Sequence, residues 1–140
     1  MGWVVDTCVL LDICTADPLF SAPSAACLTR LQGDGLVVSP LTYVELAPAF
    51  RGDREPQDRF LASAAIAATG AWTQADTDVA HALWHSYAAK RRQSALPRRP
   101  IADVLIAAFA SRWQGLITRN VTDFRQVAPA LTLIDPTASL

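Results

Sequence analysis

The chain has 140 residues, 51% of them hydrophobic and 18% charged, with a formal net charge of -1. That size and balance predict one domain over residues 1–140 with a full apolar core, and they exclude a disordered chain or a globally basic polyanion binder. Three cysteines, Cys8, Cys14 and Cys27, form no C-x-x-C pair and cannot all be bridged within the chain, and no apolar run is long enough for a bilayer. Free thiols, a soluble protein, a cytoplasmic setting and no membrane partner are therefore expected.

Trp3 to Asp6 reads as a short apolar strand, followed by helical spacing at Val9, Leu10, Ile13 and Cys14 that stops at Asp17-Pro18. A second amphipathic stretch carries Cys27, Leu28 and Leu31, and a Gly33-Asp34-Gly35 turn leads into a second apolar strand over Leu36 to Ser39. Thr42-Tyr43-Val44-Glu45 is expected to open a helix, with Thr42 and Glu45 at capping-box spacing. From Pro56 the spacing of Phe60, Leu61, Ala64, Ala65 and Ala68 predicts a helix stopped at Gly70, after which Ala71-Trp72 can add a short edge strand.

A long amphipathic helix follows, capped by Asp76 or Thr77, with Val79, Ala80, Leu83, Trp84 and Tyr87 on one face. Beyond the boundary at Pro97 and Pro100, Ile101 to Trp113 is apolar nearly all round apart from Asp103. Gly115 to Thr118 and Leu131 to Ile134 complete the strands, with a short helix opening at Asp123 between them. Short strands that are apolar on both faces and separated by helices predict a parallel sheet covered on both sides, with its binding crevice beyond the strands' carboxyl ends.

Four acids then fall near one edge. Asp6 follows strand one, Glu45 follows strand two by six residues, Asp103 lies in the first turn of the apolar helix, and Asp123 follows strand three. Each also has a structural reading: Asp6 as a helix cap, Glu45 in its capping box, Asp103 and Asp123 as first-turn acids favoured by the helix dipole, the last three residues after a capping Asn120. Together they would repel one another unless cations lay between them, and an oxygen-lined pocket suits Mg²⁺ or Mn²⁺. Asp12, Asp17, Asp34, Asp53, Glu55, Asp58, Asp76, Asp78 and Asp135 read as caps, turns or solvated faces.

The basic stretch Lys90, Arg91, Arg92, Arg98 and Arg99 contains no acid and either meets phosphates or forms a solvated helix end. His81 and His85 have the i, i+4 spacing of a zinc pair but lack the glutamate of H-E-x-x-H. The six glycines, at positions 2, 33, 35, 52, 70 and 115, make no nucleotide-binding loop.

The stretches WVVDTCVLLDI, SPLTYVELA, PIADVLIAAFA and LITRNVTDF, in that order, resemble the PIN-domain ribonucleases, especially the VapC toxins of toxin-antitoxin pairs. The resemblance spans nearly the whole chain. It implies a PIN-like three-layer α/β/α sandwich with a central parallel sheet of four or five strands, and a Mg²⁺- or Mn²⁺-dependent endoribonuclease that cleaves phosphodiesters with metal-activated water. Carried over by position, Asp6, Glu45 and Asp103 match the principal acids and metal ligands. Asp123 matches a fourth catalytic acid, and Asn120 stands where the family often has another acid. Thr7 and Thr118 match supporting hydroxyls, and Arg119 joins the basic stretch as a candidate RNA contact. A VapB-like antitoxin and a homodimer are implied as partners.

Two rivals compete with this reading. A haloacid-dehalogenase-like phosphatase also places an aspartate after its first strand, but normally has a second aspartate where this chain has Cys8. A non-catalytic interaction module would use the acids only to cap helices and meet a basic partner.

Overall fold

The computed structural model describes residues 2–67, 70–93 and 100–138. Five strands, β1 (Trp3–Val5), β2 (Leu36–Val37), β3 (Ile66–Ala67), β4 (Gly115–Ile117) and β5 (Leu133–Ile134), form one sheet in the order β3-β2-β1-β4-β5. Every neighbouring pair is parallel. Seven α-helices accompany them among the described residues: α1 (Thr7–Cys14), α2 (Ser21–Leu31), α3 (Pro40–Glu45), α4 (Arg54–Ser63), α5 (Gln74–Gln93), α6 (Ile101–Ala110) and α7 (Val121–Val127).

The register explains the two-sided apolar strands. Val4 stands beside Val37 and Leu116, and these three join a buried cluster with Tyr87 of α5, Phe109 of α6 and Phe124 of α7. Val5 stands beside Ile117, and both join a second cluster with Val9, Leu28 and Leu61 of α1, α2 and α4. Because successive side chains alternate in direction, three residues of β1 serve two cores. The α6 stripe read as apolar all round is buried accordingly, from Ile106 to Ala110 without interruption.

Three local expectations are overturned. The helix read up to Gly70 ends at Ser63, and Ala65 takes a left-handed φ of 59° before Ile66–Ala67 pairs with Leu36–Val37. Sheet pairing overrides the helical preference of the alanines, so the edge strand lies here rather than at Ala71-Trp72. The helix expected to open at Thr42 begins at Pro40, because Ser39 is its N-cap: Ser39 Oγ accepts from the Thr42 N–H at 3.1 Å. Proline at the first helical position loses no hydrogen bond, and Glu45 becomes the last residue of α3, outside any capping box. At the start of α5, Thr73 rather than Asp76 or Thr77 supplies the cap, in a reciprocal pair in which Asp76 accepts the Thr73 N–H and Thr73 Oγ1 accepts the Asp76 N–H.

Asp12 and Asp76 are likewise not solvated. Both are buried, paired with Arg119 at 2.8 Å and Arg112 at 2.9 Å respectively, which offsets the cost of burying their charge. All three cysteines are free, and no described helix is long and apolar enough to cross a membrane.

The close approach of the β1, β4 and β5 edges requires Gly115. A Cβ there would overlap the Thr132 carbonyl oxygen and stand 2.8 Å from the Trp3 ring. Gly115→Ala is therefore expected to lower stability by about 1–3 kcal/mol, the usual cost of overpacking. A chemical denaturation midpoint equal to wild type would contradict it.

Candidate active site

The chain passes from β1 to β2 and β3 on one side, then crosses to β4 on the other. This places a topological switch beyond the carboxyl ends of β1 and β4. Asp6 and Thr118 are the first residues past those two ends. Since Val5 pairs with Ile117, the next step in register sets Asp6 beside Thr118, and Thr118 Oγ1 donates to Asp6 Oδ2 at 2.7 Å.

Asp6 is 4% exposed and is held by three donors. Its Oδ1 accepts the Thr7 N–H at 2.8 Å, capping α1, while Oδ2 also accepts the Cys8 thiol at 3.2 Å. Capping and a site role thus coexist in one side chain. A carboxylate has about four acceptor positions, so open capacity remains on Oδ1. Burial pushes the Asp6 carboxyl above its ordinary range, with the charge of Glu45 adding to it, although the three hydrogen bonds pull the other way.

Glu45 is tethered to the residue after Asp6. Thr7 Oγ1 lies 2.7 Å from Glu45 Oε1 and 3.0 Å from Thr42 Oγ1, and its single proton goes to the acceptor-only carboxylate. Ser39 in turn bonds Thr42, so the cap of α3 and the start of α1 share one hydroxyl network. That network, rather than a capping box, fixes Glu45.

Asp103, half-buried in the first turn of α6, has a pKa pushed up to about 6, by burial first and then by the charges of Asp6, Asp123 and Glu45. The helix dipole favours the anion there, yet burial and repulsion win. The charges of Asp6, Asp123 and Glu45 thus all reach Asp103. Among the described residues, however, no three His, Cys, Asp or Glu side chains stand close enough together to hold a metal ion as placed. Like charges that reach one another in this way raise the cost of ionising each. The donor atoms of these acids are all oxygen, the chemistry a hard dication takes.

Asp123 and Asn120 are exposed at the start of α7. Asn120 occupies the N-cap position but makes no side-chain capping bond; its backbone N–H donates to Thr118 Oγ1 at 3.0 Å instead. Of the basic residues, Arg98 and Arg99 lie outside the described residues. Lys90, Arg91 and Arg92 occupy the last turn of α5. The Arg91 charge reaches Tyr87, a buried phenol whose pKa is raised: burial raises it, Arg91 lowers it, and Asp123 and Asp103 raise it further. The Arg119 guanidinium grips Asp12 while 30% of its side chain stays exposed.

Sequence reasoning missed Cys8, Thr42 and Tyr87 as parts of this site. Cys8 stands two residues past Asp6, but nothing in its apolar surroundings signalled a donor. Burial and the Asp6 charge push its thiol up to about 12, so the proton it donates stays in place at neutral pH.

No family model matches the chain, and no curated protein matches it by sequence. Among solved structures it is similar to VapBC2 from Rickettsia felis, determined bound to a DNA fragment from their promoter. The TM-score is 0.72 at 19% identity, over 95% of this chain and 97% of that one. An identity so low speaks for the fold alone, and the chain accordingly has the PIN-like α/β/α architecture seen in that VapBC2 chain.

Proposed function

We propose that the protein is a metal-dependent endoribonuclease of the VapC type, acting as a homodimer and restrained by a VapB-like antitoxin. The observation that carries this reading is the buried Asp6 held by three donors, together with Asp103, whose proton affinity is lifted by burial first and then by the charges of Asp6, Asp123 and Glu45. The likeness to VapBC2 supports the fold on which such a site is built.

Asp6, Asp103 and Glu45 would hold Mg²⁺ or Mn²⁺. Such a cation, when bound, would lower the proton affinity of a water and offset charge on the phosphodiester. Asp6 offers the open position on Oδ1 while Thr7, Cys8 and Thr118 keep its plane fixed. Glu45, steadied by Thr7, orients the attacking water, and Asp123 with Asn120 closes the cleft on the α7 side. Arg91 and its neighbours on α5 draw the RNA backbone toward the acids, a contribution that weakens with salt. In-line attack by water on phosphorus leaves 5'-phosphate and 3'-hydroxyl ends.

The test is incubation of total RNA with purified protein, stripped of divalent ions and of any bound partner, with and without Mg²⁺ or Mn²⁺. Cleavage that needs the ion, leaves 5'-phosphate ends and is not matched by hydrolysis of a phosphate monoester is expected. Intact RNA under every divalent ion would favour the non-catalytic interaction module.

A further inference from the structure

Arg119 is the first residue after Thr118, and its side chain turns away from the acids. Nε and NH2 donate to Asp12 Oδ2 and Oδ1 at 2.8 and 3.1 Å, a two-pronged grip on a residue of α1. The guanidinium carbon also lies 4.1 Å from the centre of the Phe20 ring, just ahead of α2. Asp12 is only 7% exposed, and the fork of Arg119 is the ion pair that compensates its charge.

Two short routes connect this grip to Asp6. Along the chain, Thr118 donates to Asp6 Oδ2. Through space, Cys8 Sγ lies 3.7 Å from Thr118 Oγ1, the residue next to Arg119, and the Cys8 thiol donates to the same Asp6 oxygen. Both donors that fix Asp6 Oδ2 therefore depend on where the Thr118–Arg119 backbone sits relative to α1, and the Asp12–Arg119 pair ties those two elements together.

We infer that Asp12, Arg119 and Phe20 form a clamp that orients Asp6, so that Arg119 is a positioning residue and not an RNA contact. The inference rests on the reading of the acids as a cation site. It differs from a phosphate-contact role in a measurable way, since breaking the pair from the Asp12 side leaves the arginine charged and free to meet RNA.

Asp12→Asn, nearly the same shape, is the first variant. Its Mn²⁺ affinity is expected to fall about 10- to 100-fold, as when an outer partner of a ligand is lost. The slope of log RNA affinity against log salt, measured in EDTA, should match wild type. Arg119→Lys serves as the second variant should the first fail to fold: it keeps the charge but loses the fork, and the same loss of Mn²⁺ affinity is expected. Wild-type Mn²⁺ affinity in both variants, or an Arg119→Gln protein whose salt slope drops by about one phosphate contact, would overturn the clamp alone. Wild type that binds no Mn²⁺ would overturn the cation-site reading and the clamp with it.

Discussion

Asp6→Asn is expected to abolish divalent-dependent RNA cleavage while raising the melting temperature of the metal-free protein. The two effects share one cause. Asp6 is almost fully buried, and burial raises its proton affinity despite three donors, so ionising it works against the fold when no cation is present. The amide keeps an oxygen for the Thr7 N–H and removes the buried charge, at the expense of a ligand that nothing else supplies. Loss of activity should exceed the roughly 100-fold seen when only an outer partner of a ligand is removed. A stability gain with lost function is the pattern expected where a site is held in a state the fold alone disfavours. Residual cleavage near wild type, or a lower melting temperature in EDTA at pH 8, would contradict the account.

Asp103 gives the second large effect, one that depends on pH. Its pKa in the fold is about 6 against an ordinary 3.8, so between those values the folded state holds a proton that the unfolded chain has released. Stability contributed by this group therefore falls as pH rises through that window and is recovered on acidification. Asp103→Asn has no such term. Its melting temperature in EDTA should match wild type near pH 4 and exceed it at pH 8. After allowance for the half-exposed position the gain is about 1 kcal/mol, or roughly 4 °C for a domain of this size. Saturating Mg²⁺ or Mn²⁺ should close the gap by neutralising the wild-type carboxylate. A constant difference between the two proteins at all pH values would show that neither burial nor the neighbouring acids shift Asp103.

The layered fold was legible because β1, β2 and β4 are continuous apolar runs and the stretch from Ile101 is apolar all round, which only a covered parallel sheet and an internal helix explain. The edge strand was not. Ile66–Ala67 sits in a run of alanines whose local preference is helical, and only pairing with Leu36–Val37 makes it a strand. Among the acids, Asp6 and Asp103 announced themselves by apolar neighbours, and both are coupled in the structure. Glu45 was harder to read, because Thr42 at capping-box spacing hid the stronger Ser39-Pro40 start. Asp12 and Arg119 are 107 residues apart in the chain, and no local pattern tells a reader that two charges so distant will meet. Arg119 therefore looked like a spare cation beside the site.

Titration calorimetry of Mn²⁺ into the metal-free protein tests most directly whether these carboxylates act together. Saturable binding by wild type that disappears in Asp6→Asn is the result expected from the structure. Absence of binding by wild type, or equal binding by both proteins, would mean that the buried aspartate serves only to cap α1.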